Sequence, residues 1–160
     1  MQNDFIIALA WPEGMVAKTD VWYDRFFAKN GKYRVGHSAA VLVERLTGEL
    51  HYFDFGRYHT PKGFGRVRNK DTDHDVCIQI SAEIKSKEII NIEDILVEIK
   101  KNTAFHGEGT LYASILNDVS FQKAYEYAKK IQNNGLVLYG PFVSSGTNCS
   151  RFVASVMRSS

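Results

Sequence analysis

The chain is short of the features that would specialise it. Two cysteines, Cys77 and Cys149, are too few for a disulfide framework, and neither has the paired spacing of a zinc site. Both thiols are therefore expected to be reduced, as in a cytoplasmic protein. A net charge of +2 with 24% charged residues leaves no excess of one sign, so charge does not point to nucleic acid as a partner. The apolar run in Met1-Gln-Asn-Asp-Phe-Ile-Ile-Ala-Leu-Ala10-Trp-Pro is about six residues, follows an acidic residue and lacks a basic leader, so it reads as a first strand rather than a signal peptide or membrane span. There are no internal repeats, low-complexity tracts or linkers, and the 160 residues, 44% of them hydrophobic, fit a single domain spanning 1–160 with a real core.

What is present is a regular succession of elements. Residues 4–11 read as a buried strand closed by Trp11-Pro12-Glu13-Gly14. A helix is expected next, capped by Thr19 or Asp20, striped by Trp22, Tyr23, Phe26 and Phe27, and stopped at Asn30-Gly31. A hairpin follows: Val35 to Arg45 runs out, Leu46-Thr47-Gly48-Glu49 turns with Thr47-Gly48 at its tip, and Leu50 to Tyr58 returns. His59 to Lys70 reads as a solvated basic loop, in which Lys62, Arg66 and Arg68 offer the alternative of an anion site. Asp71-Thr-Asp-His-Asp75 has the alternating acids of a calcium loop, but Val76 and Ala82 stand where that loop needs Gly and Glu, and Val76 to Ile80 reads as a strand. His74 with Cys77 lacks two further ligands, so neither a metal nor another cofactor is expected.

Asn91 is placed to cap a helix carrying Ile92, Ile95, Leu96 and Ile99 and ending near Asn102. After the loop His106-Gly-Glu-Gly109, Thr110 to Ile115 alternates like a strand. Ser120 opens a helix through Phe121, Tyr125 and Ala128, Asn134-Gly135 stops it, and Leu136 to Tyr139 reads as a short strand. The fold class is α+β, with helices around an antiparallel sheet.

The chemistry concentrates at the end of the chain. In Ser145-Gly-Thr-Asn-Cys149-Ser-Arg-Phe-Val, a polar loop delivers a cysteine to the start of a helix striped by Phe152, Val153, Val156 and Met157. With Thr147 or Asn148 as cap, Cys149 falls at the first or second helical position, where free N–H groups and the helix dipole favour a thiolate. A buried structural cysteine is the bland alternative. A thiol nucleophile needs a base and a group to orient that base. Among the five histidines, His37 is best placed, at the mouth of the apolar strand Ala39 to Val43; His106, among glycines, comes second. His51 reads as a half-exposed strand residue, and His59 as a lining residue on the loop. Hairpin parity puts residues 54 and 56 on the face of His37, which makes Asp54 the nearest acidic candidate, its alternative role being a partner for Arg57.

Val35-Gly-His37-Ser-Ala-Ala-Val-Leu-Val at a strand start, a following hairpin strand, and Gly-Thr-Asn-Cys149-Ser-Arg-Phe-Val at a helix start together resemble the circularly permuted papain-like thiol hydrolases. That group contains the permuted relatives of NlpC-type cell-wall peptidases and the lecithin:retinol acyltransferase-like enzymes. Tyr52-Phe-Asp-Phe-Gly-Arg-Tyr-His59 with Tyr139-Gly-Pro-Phe142 is similar to a bacterial branch of it. The resemblance implies a papain-like antiparallel sheet packed against helices, Cys149 as nucleophile and His37 as base, with the histidine preceding the cysteine in the chain. The third polar residue of the group has no unambiguous match, and Asp54 is the candidate. His106, Tyr139, His59 and Arg57 are expected to line the substrate site. The implied activity is an amidase, peptidase or acyl transferase acting through a thioester on a small-molecule, peptide or acyl substrate. The alternative is a binding module of the same fold that uses the basic loop and the aromatic helix.

Overall fold

The computed structural model of the chain describes residues 4–17, 32–34, 36–140 and 144–160. The aromatic helix expected after Thr19 and Asp20 lies outside the described residues, as do residue 35 and residues 141–143. In chain order the strands are β1 (Asp4–Trp11), β2 (Met15–Ala17), β3 (Lys32–Arg34), β4 (His37–Val43), β5 (Leu50–Gly56), β6 (Phe64–Arg68), β7 (Ile84–Lys85), β8 (Glu88–Ile89), β9 (Tyr112–Val119) and β10 (Val137–Leu138). The helices are α1 (Ile92–Lys101), α2 (Phe121–Asn133) and α3 (Cys149–Ser159). Six strands form one antiparallel sheet in the order β10-β6-β5-β4-β1-β9, and β2-β3 and β7-β8 are separate pairs.

Alternation along the three central strands builds two cores. Phe5, Ile7, Leu9 and Trp11 of β1, Ala39, Val41 and Val43 of β4, and Leu50 and Tyr52 of β5 face one side, where Ile95 and Ile99 of α1 and Phe105 close over them. Ile6, Ala40, Leu42, Phe53 and Phe55 face the other, against Ala124 and Ala128 of α2 and Phe152, Val153 and Val156 of α3. Because both faces are covered, these strands read as nearly unbroken apolar runs, although the sheet is antiparallel. Each large side chain taken out of water here contributes about 1.5–3 kcal/mol.

Three local expectations are corrected. The hairpin turns over four residues, 45–48, rather than at Thr47-Gly48 alone: Glu44 N–H donates to Glu49 C=O at 3.1 Å and Gly48 N–H to Glu44 C=O at 2.8 Å. Gly48 has φ 72°, and a Cβ on it would lie 2.4 Å from the Ala82 carbonyl oxygen. Gly48→Ala is therefore expected to cost about 1–3 kcal/mol, read as a lower urea midpoint at unchanged slope. The register moves by two residues, placing Ala39 opposite Asp54 and Leu42 opposite His51. An even shift preserves parity, so Asp54 stays on the face of His37.

The second correction concerns the basic loop, of which residues 64–68 are strand β6. It pairs Arg68 with Asp54 and Arg66 with Gly56. Arg68 is buried, and Arg66 makes a two-pronged bond to Asp73 at 2.6 Å on each side. The third concerns Val76 to Ile80, which holds no strand. His74–Val76 is a single turn of 3₁₀ helix, and the N–H groups of Gln79 and Ile80 donate to the Glu98 carboxylate of α1 at 2.6 and 3.0 Å instead of to a neighbouring strand. The acidic run preceding it serves as a turn: Asn69, buried, accepts from Asp73 N–H and from the Gln132 side chain of α2.

Candidate functional site

Cys149 is the first residue of α3. Asn148 caps the helix, accepting the Arg151 N–H at 2.9 Å through its side chain. The preceding loop is tied to β10: Thr147 N–H donates to Leu138 C=O at 2.9 Å, and Gly140 N–H to Thr147 C=O at 3.1 Å. Gly146 permits this approach, because a Cβ there would come within 2.4 Å of the Leu138 oxygen. The loop therefore arrives at Cys149 along a fixed path, and the helix apolar face then anchors it in the core.

His37 is the first residue of β4, paired with Trp11 at the end of β1. Gly36, at φ 71°, bends the chain into that start, with its N–H on Gly14 C=O at 3.0 Å. The Trp11 indole stacks on the imidazole at 5.6 Å between centroids and 20° between planes. Gly107 packs so closely that a Cβ there would lie 2.2 Å from Trp11 Nε1, so the loop after α1 backs the ring that backs His37.

His37 Nε2 bonds Asp54 Oδ2 at 3.0 Å. The Cys149 thiol lines the same cleft as the imidazole and interacts with it electrostatically. Asp54 is fully buried, and three further side chains donate to it: Tyr52 Oη at 2.9 Å, Tyr58 Oη at 2.8 Å, and Arg68 through Nε at 3.1 Å and Nη2 at 2.7 Å. The alternative of Asp54 as a partner for Arg57 is corrected to Arg68, which stands opposite it on β6. Arg57 instead sits over the Tyr139 ring at 5.5 Å.

These contacts set the protonation states. Burial works against a charged His37, but the Asp54 and Cys149 hydrogen bonds outweigh it and raise its pKa to about 9. Burial alone would raise Asp54; the bonds from His37 and Arg68 hold it down at about 2. Burial likewise opposes a Cys149 thiolate, yet His37, the Ser150 hydroxyl and the Ser38 backbone together bring the thiol below its ordinary value. The arrangement favours a thiolate–imidazolium pair over a neutral thiol and imidazole.

His37, Cys149, Tyr58, His106, Tyr139, Arg57 and Glu108 line one cleft of about 370 Å³, with Phe55 and the glycines 14, 36 and 56 completing its walls. The structure thus brings His37, Cys149, His106, Tyr139 and Arg57 together, with Asp54 behind His37. It leaves His59 apart: exposed, at φ 51°, it is not among the lining residues. Sequence reasoning missed Tyr58, Arg68 and Trp11 as members of the site. The signal for Arg68 was the alternation in Phe64-Gly-Arg-Val-Arg68, obscured by the glycines and proline around it. None of the described residues forms a His, Cys, Asp and Glu cluster able to hold a metal ion.

Fold and site together define an α+β protein that presents a thiol, Cys149, and an imidazole, His37, in a single cleft, with the buried Asp54 carboxylate behind the imidazole. The family model for type VI secretion system effectors of the TseH-like kind matches residues 6–160, and the chain belongs to that family. Among solved structures, the crystal structure of the type VI secretion system effector TseH is similar to this chain with a TM-score of 0.64 and 22% identity, covering 98% of this chain and 76% of that one. No curated protein matches it.

Proposed function

We propose that the chain is a papain-like cysteine hydrolase or acyl transferase, built in the permuted order of the NlpC-type and lecithin:retinol acyltransferase-like enzymes. Cys149 is the nucleophile, His37 the acid and base, and Asp54 the orienting group. The observation that carries this reading is that His37, held by Asp54 through Nε2, and Cys149, at the start of α3, line one cleft.

The Cys149 thiolate attacks the carbonyl carbon of an amide or ester, and the C–S bond forms as the carbonyl electrons move to oxygen. The Cys149 N–H, one of the first helical donors with no partner inside the helix, faces the developing oxyanion. His37 passes its proton to the departing amine or alkoxide, leaving a thioester. Water or another acceptor then gives a proton to His37 and attacks the thioester, which releases the acyl product and restores the thiolate. No step needs a cofactor. His106, Tyr139 and Arg57 are the proposed substrate contacts.

Membership of an effector family bears on where this chemistry is used. An effector acts where its secretion system delivers it, so the proposed cytoplasmic setting is that of the producing cell before delivery, and a substrate outside the cytoplasm fits the same chemistry. None of the described helices is long and apolar enough to cross a membrane. The rival binding module loses support, because Arg66 and Arg68, two of its three cations, are engaged inside the protein.

An activated ester tests the proposal. On incubation with p-nitrophenyl acetate, a burst of nitrophenolate and an acetyl group mapped by mass spectrometry to Cys149 are expected, both absent in Cys149→Ala. Acetylation of Cys77 or lysines at the same rate as Cys149 would overturn it.

A further inference from the structure

Asp54 has more donors than an orienting carboxylate needs. Its Oδ2 alone receives His37 Nε2, Tyr52 Oη, Tyr58 Oη and Arg68 Nη2, while Arg68 Nε takes Oδ1. Arg68 is thus a planar fork across both oxygens of a carboxylate with no exposed surface. Tyr58 joins this group to the cleft. Its hydroxyl is also 3.4 Å from His37 Nε2, its ring carries the Arg68 guanidinium at 3.5 Å on one side, and the His106 imidazole stacks on it at 5.6 Å.

We propose that Arg68 and Tyr58 are positioning residues that set the basicity of His37 by competing with it for the charge of Asp54. This rests on the reading of Cys149 and His37 given above. An isolated buried Asp54–His37 pair would hold the imidazolium so firmly that His37 could not readily release its proton to a leaving group. A second cation on the same carboxylate shares that charge and repels the imidazolium. Two hydroxyl donors withdraw more of it, and the fork prevents Oδ2 from turning away. The groups facing His37 from every side are consistent with this: Trp11 from β1, Asp54 and Tyr52 from β5, Tyr58, Cys149 from α3, and His106 beyond Tyr58. The burial that pushes the Tyr52 and Tyr58 hydroxyls above their ordinary values keeps both as donors throughout the working range.

The test uses the full chain carrying Cys77→Ser, so that Cys149 is the only thiol. The His37 imidazole is titrated by NMR, its signals assigned by their loss in His37→Gln, and iodoacetamide alkylation is followed against pH in parallel. Arg68→Gln is expected to raise the His37 midpoint by about one unit, because it removes the like charge that shares Asp54. Tyr58→Phe keeps the ring and should raise it by roughly half a unit. Arg68→Lys keeps the charge without the fork and should leave the midpoint within a few tenths of a unit while slowing acyl transfer. Unchanged or lowered midpoints in both Arg68→Gln and Tyr58→Phe overturn the inference and leave the nucleophile assignment standing. A parent His37 that titrates near 6.5, with an ordinary thiol profile at Cys149, overturns both. If circular dichroism shows that Arg68→Gln does not fold, Tyr58→Phe decides alone.

Discussion

Replacing His37 with alanine is expected to slow iodoacetamide alkylation of Cys149 at pH 6 by about several-fold or more, because the imidazole helps to bring the thiol below its ordinary value. A thiol without its imidazole titrates near 8.5, so only about 0.3% of it is thiolate at that pH. In the intact chain the thiol lies below its ordinary value and the imidazole is raised to about 9. The ion pair therefore forms as pH rises through the lowered Cys149 value and is lost as pH rises through about 9, when His37 deprotonates. Within that window the thiolate is the main form. The lower nucleophilicity that accompanies a lower thiol pKa offsets part of this gain in thiolate population. Acyl transfer should follow a bell whose alkaline side falls near pH 9. An unchanged alkylation profile in His37→Ala would show that the helix start and the neighbouring serines alone control the thiol.

Asp54→Asn should lower stability by about 3–5 kcal/mol, because it leaves the buried Arg68 guanidinium without its counter-charge. For a chain of this size that is a fall in melting temperature of roughly 10 °C. The sign of the pH dependence follows from the shift. Asp54 is held at about 2 in the folded protein against an ordinary 3.8. Its contribution is present above the ordinary value and disappears as pH falls through about 2. The parent and Asp54→Asn should therefore differ fully at pH 6 and converge toward pH 2, as read by thermal unfolding across that range. A variant as stable as the parent at pH 6 would mean that Arg68 finds another partner. The same substitution removes the acceptor on His37 Nε2, so the alkaline side of the activity bell should move to lower pH as well.

The two central short motifs were legible for physical reasons. Gly36-His37 followed by Ala39 to Val43 requires a strand that begins on a tight bend, and Asn148-Cys149 followed by a stripe of Phe152, Val153 and Val156 requires a capped helix start. Both signals are local, since caps, turns and apolar period act within a few residues. Asp54 was reachable because parity along a strand survives an even register shift: the four-residue turn moved every pair by two positions without changing its face. The extra length came from the Gly48–Ala82 contact, a tertiary interaction that no turn rule contains.

Strand β6 was not legible. Gly63 and Gly65 with Pro61 gave Phe64 to Arg68 the look of a loop, and two arginines in five residues gave it the look of a solvated one. Their charges are internal because Arg68 lies directly across from Asp54 and Arg66 is within reach of Asp73. Val76 to Ile80 failed in the opposite direction. Its β-prone residues had no strand to pair with, and the Glu98 carboxylate satisfied their N–H groups instead.

The sequence by itself determined the α+β class, the strands β1, β4 and β5, the helices α1 to α3, and the placing of one histidine at a strand start and one cysteine at a helix start. Each of these depends on hydrophobic period, caps and turns. Only the tertiary structure decided that the thiol and imidazole meet, that Asp54 stands behind His37 with Arg68 as its counter-charge, and that Trp11 and Tyr58 flank the ring. Those relations join residues separated by up to 112 positions, from His37 to Cys149, and pairing across the sheet and packing of α3 against it set them, neither of which carries a local signal in the chain. Cys149, placed by a cap and a short apolar stripe, has its thiol brought below its ordinary value by His37 and Ser38 of β4 together with Ser150.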